Sequence, residues 1–322
     1  MKKYLLFKVL VLSLLISGCS LMGVTTAQSQ SDNTPIAVRR KIKDVDYRSN
    51  PDSYNLKKRL AILPFLDKQT ERRSESVRQN AREAFIMDLN ASNKFIVIDS
   101  KQLTVDTEKY LKNGEYDLKS LARDSQKSGV SSILEGQIID VRMKKRAEKI
   151  GLVRELNATY EVVVRLRIQS VRTEQEIFHV VKTVTLEEKN MRVAERATQD
   201  EIFIKNPELV EILIKDAFLD FSQQIQQTMN EVTWEGRIAA IRGEKVYLNV
   251  GRISGVQIGD ILKVVEDGSE IYDPEIGYNI GRVSGKAKGT LEVISYFGND
   301  GAVAVVHSGA GFRESDRVEI YQ

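Results

Sequence analysis

The sequence predicts an α+β protein: an α/β domain with a mixed sheet, then a small all-β barrel. Three patterns predict it. Strand-like and helical periods alternate through residues 56–231, which argues for an α/β unit. Short Val- and Ile-rich runs between glycine turns fill residues 232–322, which argues for a barrel. Ahead of both, residues 1–18 pair a basic start with an apolar run too short to span a bilayer, which takes roughly 20 residues.

That first segment reads Met1-Lys2-Lys3, then Tyr4 to Lys8, then Val9 to Ile16. It is built for export and removal. Ile16-Ser17-Gly18-Cys19 follows and resembles the lipobox of bacterial lipoproteins, with cleavage between Gly18 and Cys19. Cys19 is the single cysteine and falls at the position the motif requires. The resemblance implies a diacylglycerol and an N-acyl chain on Cys19, a membrane anchor and no disulfide. Ser20, in place of Asp, resembles the outer-membrane sorting pattern of Gram-negative lipoproteins, with the body facing the periplasm. The full chain has 48 Lys+Arg against 45 Asp+Glu, but removing Lys2, Lys3 and Lys8 leaves 45 against 45. A neutral body offers no general basis for nucleic-acid binding.

Residues 19–55 have tether composition, as in Gln28-Ser29-Gln30-Ser31-Asp32-Asn33-Thr34-Pro35. Arg39-Arg40-Lys41-Ile42-Lys43 is a local basic run. It reads either as solvated linker or as a contact for anionic head groups or a partner.

Leu60–Phe65 is a short apolar run suited to a buried strand, with Pro64 near its exit. From Ser74 to Ala91, Val77, Ala81, Ala84, Phe85 and Leu89 fall on one helical face. Phe95–Asp99 is the next strand, and Leu118–Lys127 a helix ending at Gly129. Ile133–Met143, Ala158–Ser170 and Ile177–Leu186 then read as antiparallel strands. In the middle one Tyr160, Val162, Val164, Leu166 and Ile168 point one way, while Glu161, Val163, Arg165, Arg167 and Gln169 point the other. Asn206-Pro207 opens one long helix carrying Val210, Ile214, Ala217, Phe218, Phe221, Ile225 and Met229 as a core stripe.

Seven strand segments follow: Gly236–Ile241, Val246–Val250, Ile261–Val265, Ile280–Val283, Thr290–Ser295, Ala302–Val306 and Arg317–Ile320. Their even spacing predicts a barrel that uses all of them. Gly251, Gly255 and Gly259 permit the tight turns, and Asp260 is placed to cap one.

Leu60–Phe65, Phe95–Asp99, Leu121-Ala122 to Gly129 and Ser132-Ile133-Leu134-Glu135-Gly136 together are similar to an α/β domain found in several envelope proteins. These are the curli-secretion lipoprotein CsgG, the N-terminal domain of TolB and the middle domain of the flagellar H-ring assembly protein FlgT. Val246–Gly251, Gly255, Gly259-Asp260, Leu262, Asp273–Gly277 and Ile280-Gly281 resemble the C-terminal domain of FlgT. The resemblance implies a component or assembly factor of an envelope machine, flagellar or secretion-related, with protein partners and self-association. The FlgT-specific N-terminal domain has no counterpart here, which weighs against a flagellar role in particular.

Candidate chemistry is thin. Gly281-Arg282-Val283-Ser284-Gly285-Lys286-Ala287 resembles a phosphate loop but has three residues between its glycines and Ala for the metal-binding hydroxyl. His179 and His307 are expected to stand alone in strands. Glu266, Asp267, Glu270, Asp273 and Glu275 crowd around Gly268, either as a hairpin loop or as a cation site. No nucleophile motif is present, so no catalytic residue, metal or cofactor is expected, and no small-molecule substrate. Three readings follow: a non-enzymatic envelope component, a CsgG-like secretion channel, and a lipoprotein activator of a cell-wall synthase. In the channel, Ala158–Ile168 would face lipid, but its partner would include the charged Lys144–Lys149.

Overall fold

The computed structural model describes residues 55–69, 73–150, 153–188, 207–283 and 285–321. The signal, Gly18, Cys19, the tether with Arg39–Lys43, and Asn206 lie outside the described residues.

The chain begins with β1 (Lys58–Ile62) and the short β2 (Leu66–Asp67), then α1 (Glu75–Ala91) and β3 (Phe95–Asp99). Ser74 caps α1 by accepting from the Ser76 amide, and Ala81, Phe85 and Leu89 form its buried stripe. With α1 as crossover, β1 and β3 pair in parallel, Leu60 opposite Val97. A two-residue hairpin of β4 (Leu111–Lys112) and β5 (Glu115–Tyr116) leads into α2 (Leu118–Asp124). The helix expected to reach Lys127 stops sooner: Ser125 ends it, a 3-10 turn spans Gln126–Ser128, and Gly129 closes at φ +67°.

Three long antiparallel strands follow, β6 (Ser132–Ile150), β7 (Val153–Ser170) and β8 (Glu176–Glu188). The sheet order is β3-β1-β6-β7-β8, with β2 added beside β6. It is a mixed sheet, parallel at β3-β1-β6 and antiparallel beyond. β6 does not end at Met143 as its sequence suggested. Backbone pairing continues through the charged segment, Lys144 opposite Thr159 and Ile150 opposite Val153. Strand pairing is a main-chain property, so a run of exposed charges need not end it.

Helices α3 (Pro207–Leu219) and α4 (Ser222–Glu231) replace the single expected helix. The interruption is a tightened turn, the Phe221 amide bonding to Phe218 O at 3.0 Å. An i, i+3 step keeps Phe218 and Phe221 on one face, and both are fully buried. The whole stripe from Val210 to Met229 therefore enters one core with α1 and with Tyr160, Val162, Val164, Leu166 and Ile168. The opposite face of the sheet holds a second core, where Ala61, Leu63 and Ile133 meet Leu118, Leu121 and Ala122 of α2.

The barrel comprises β9 (Gly236–Arg242), β10 (Lys245–Leu248), β11 (Ile261–Val265), β14 (Ala287–Phe297), β15 (Gly301–Gly309) and β16 (Arg317–Ile320). Its closed order is β10-β15-β14-β11-β16-β9. Ile238, Leu248, Leu262, Val264, Leu291, Val293 and Val318 fill the interior. Six strands close it, not the seven the sequence suggested. The Ile280–Val283 segment instead gives β13 (Asn279–Arg282), which pairs only with β12 (Glu270–Tyr272) in a separate ribbon. The turn glycines behave as their sequence suggested: Gly255 and Gly259 lie at φ +87° and +94°, and Asp260 accepts from the Gln257 amide at 2.7 Å. At Gly251 the constraint is close approach, since a Cβ there would stand 2.7 Å from Gly301 O.

Candidate functional site

Three groups of polar side chains stand out, and only the third was singled out as a group in the sequence. The first lies on the sheet face opposite α3. Arg165 and Arg167 of β7 flank Glu135 of β6, Nη2 of Arg165 at 3.3 Å and Nε of Arg167 at 2.9 Å. Arg165 also reaches Glu115 at 3.0 Å, and Arg167 the Tyr116 carbonyl at 3.2 Å, so β4-β5 is fastened over the strands. Burial pushes the Glu135 carboxyl above its usual range, with Arg167 and Arg165 opposing. The hydrogen bond from Arg165 holds Glu115 below its own. Period-two alternation named these arginines as outward-facing. Their cross-strand carboxylates depend on register, which a single strand does not reveal.

The second group joins the α/β domain to the barrel. Arg59 of β1 donates to Asn249 O and, at 3.0 Å, to Asp300. Asp300 also accepts from the amides of Gly251 and Ser254, each at 3.0 Å, and from the Ser254 hydroxyl. Burial works against its ionisation, but Ser254 and Arg59 outweigh that and hold the carboxyl below its usual value. Nearby, Arg317 lies 3.7 Å from the buried Glu235 and 3.0 Å from Glu319, which Arg172 meets at 3.3 Å. Burial pushes Glu235 upward, against Arg237, Arg317 and Arg172. Asp300 and Glu319 are matched to guanidinium or main-chain donors, which suits holding two domains together. Among the described residues the buried Oε2 of Glu235 has no hydrogen-bond partner and meets Arg317 only as an ion pair.

The third is the β12-β13 ribbon, where the acidic residues of the sequence are found. They serve separate partners. Asp267 pairs with Arg237 at 2.6 Å and Glu270 lies 3.7 Å from Arg123. Asp273 folds the tip by accepting from the amides of Glu275 and Ile276. Among the described residues no three His, Cys or carboxylate side chains converge in a metal-binding group. The glycine-flanked Gly281–Ala287 stretch runs from β13 into β14, a strand, so no helix N-terminus follows it. The histidines are not alone: His179 Nδ1 is 2.9 Å from Glu176, and His307 Nδ1 is 3.9 Å from Glu292. The second carboxylate comes from another strand, beyond what sequence spacing shows.

Cys19 and Gly18 lie outside the described residues. Among the described residues no helix is long and apolar enough to cross a membrane, which says nothing of a strand-built span.

No family model matches the chain, and no curated protein matches it. Solved structures to which the chain shows a weak similarity include bacterial lipoproteins and TolB. A minor lipoprotein from Acinetobacter baumannii is similar at 14% identity and TM-score 0.26, over 54% of this chain and 93% of that one. TolB from the same species is similar at 17% and 0.28, over 78% of this chain and 58% of that one. A PelC dodecamer from Paraburkholderia phytofirmans is similar at 14% and 0.27, over 51% and 86%. TM-scores this low establish neither family nor function.

Proposed function

We propose that this chain is a lipid-anchored, non-enzymatic component or assembly factor of a bacterial envelope machine that works as a homo-oligomer. It acts through protein partners, without cofactor, metal or small-molecule substrate, and faces the periplasm from the outer membrane. The lipobox-like Ile16–Cys19 supports the anchor, and Ser20 the outer-membrane choice. One observation carries the oligomer. Among the described residues β8 has no partner along its outer edge, and β6 has none on its outer edge past Ile138. These are opposite sides of one sheet. Pairing the first on one copy with the second on the next is a head-to-tail contact, which closes into a ring when the rotation allows.

A CsgG-like channel is the second reading, favoured by one observation. The β6-β7 hairpin continues beyond the last β8 pair, Ala158 opposite Glu188, to Ile150 opposite Val153. Its 18-residue second strand exceeds the about 9–11 residues a membrane barrel strand needs. The charged Lys144–Lys149 lies opposite Arg154–Thr159, which ranks this reading below the first.

Two measurements test the proposal. Cys19→Ser should move the protein from the membrane to the soluble fraction; retention equal to wild type removes the anchor. Electron microscopy of the detergent-purified lipoprotein should show closed rings, with a membrane collar only on the channel reading. Monomers at all concentrations rule out both.

A further inference from the structure

We propose that neighbouring copies join through a level, parallel step from β8 to β6, in which Glu187 of one copy meets Lys144 of the next. The proposal rests on the homo-oligomer above and gives its contact a register. Within one copy β6 and β8 run parallel, with β7 antiparallel between them. Lys144 lies opposite Thr159, and Thr159 opposite Glu187, so the three stand in one row across the sheet. Arg142, Glu161 and Thr185 form the next row on that face, and Val141, Val162 and Val184 a row on the other. Among the described residues the outer edges of β8 and of β6 past Ile138 carry no strand. A closed ring has no rise from copy to copy. With strands along its axis, each β8 residue therefore meets the residue of the next β6 that stands in its own row.

Charge favours this pairing. Residues 183–188 of β8 include Glu187 and Glu188 and no cation, whereas residues 144–150 of β6 include Lys144, Lys145, Arg146 and Lys149 against Glu148 alone. Level pairing sets the acidic end of one edge against the start of the basic stretch of the other, and Val184 against Val141. Both charges are available for it. Among the described residues Glu187 has no ion pair, and Lys144 has only a share of the Glu161 carboxylate, which Arg142 also holds at 2.6 Å. Within one copy β7 keeps the two strands about 10 Å apart, against about 5 Å for neighbouring strands of two copies. The two-fold alternative is β8 against β8. In full overlap it would set Lys182 opposite Lys182 and Glu176 opposite Glu188. Like charges directly opposite destabilise a sheet.

Charge reversal reads the contact, in sedimentation velocity of the detergent-purified lipoprotein. Lys144→Glu and Glu187→Lys should each raise the concentration needed for half-assembly by about tenfold, because each sets like charges face to face. Mixing the two variants in equal amounts should bring assembly back to the wild-type concentration, since alternating them restores opposite charges at every contact. The chain carrying both changes should do the same. Rescue by mixing cannot arise from a change within either chain. Rings indifferent to Lys144→Glu overturn this register and leave the ring standing. Loss in both variants that mixing does not repair also overturns it, because each change then acts inside its own copy. Wild-type monomers at all concentrations overturn the contact and the ring together.

Discussion

At Asp300 one side chain both braces a barrel loop and reaches across to the α/β domain. Its carboxylate gathers two amides, a hydroxyl and the Arg59 guanidinium. Hydrogen bonds to a charged group are worth about 1.5–3 kcal/mol. Asp300→Asn is therefore expected to lower stability to urea at pH 7 by about that much. The pH dependence follows from the depressed folded pKa. Above the unfolded value, about 3.9, the contribution is complete, and it is lost as pH falls through the lower folded value. Urea curves at pH 7, 5 and 3 should show the Asn variant losing less stability than wild type over the acid step. A loss equal to wild type would remove Asp300 from that role. Gly285 makes a second case: Gly285→Ala forces a Cβ against the Glu266 carbonyl, and should open the root of the β12-β13 ribbon, seen as faster exchange at the Glu266 amide, which bonds Lys286 O.

At the scale of elements, much of the fold is legible in side-chain periods. The alternation of Tyr160, Val162, Val164, Leu166 and Ile168 names a face that is fully buried, and the stripe from Val210 to Met229 names another. Those periods report which side of an element faces the core, and they hold through the break between α3 and α4. The break itself leaves no mark, since it has neither Pro nor Gly and arises from seating Phe218 and Phe221 together. Phe221 meets Phe178 edge-on, with centroids 6.3 Å apart. Phe221→Ala should cost about 3–5 kcal/mol in urea unfolding, as for a buried aromatic side chain removed without collapse of the site. A cost near 1 kcal/mol would show that α4 relaxes freely into the space. What periods miss is partnership. The strand pattern at Ile280–Val283 is real, yet its partner is β12 and not a barrel strand, because β11 pairs directly with β14 and closes the barrel without it. The carboxylates facing Arg165 and Arg167 were hidden for the same reason, coming from Glu115 and Glu135 on other elements.

For the whole molecule, the decisive feature is a sheet that, among the described residues, closes on neither side. Long exposed edges invite pairing, and proteins usually blunt them with charge, proline or a cover. β8 is only partly defended: Val181, 52% exposed, and Leu186, 38% exposed, stand along it with His179 and Thr183. The stretch from Val180 to Leu186, with Lys182 its single charge inside a strand flanked by Glu176, Glu187 and Glu188, is suited to being covered by another copy. Lysine on an edge opposes such pairing at little cost to the fold, since Val181 lies outside the buried core. Val181→Lys is thus expected to shift the detergent-purified protein from rings toward monomers in sedimentation velocity. Urea stability of the monomer should stay within about 0.5 kcal/mol of wild type, the usual range for a surface substitution. Rings that persist unchanged in Val181→Lys would move the contact off β8. In that case the distal β6-β7 hairpin, which runs past β8 on both of its strands, becomes the surface that joins the copies.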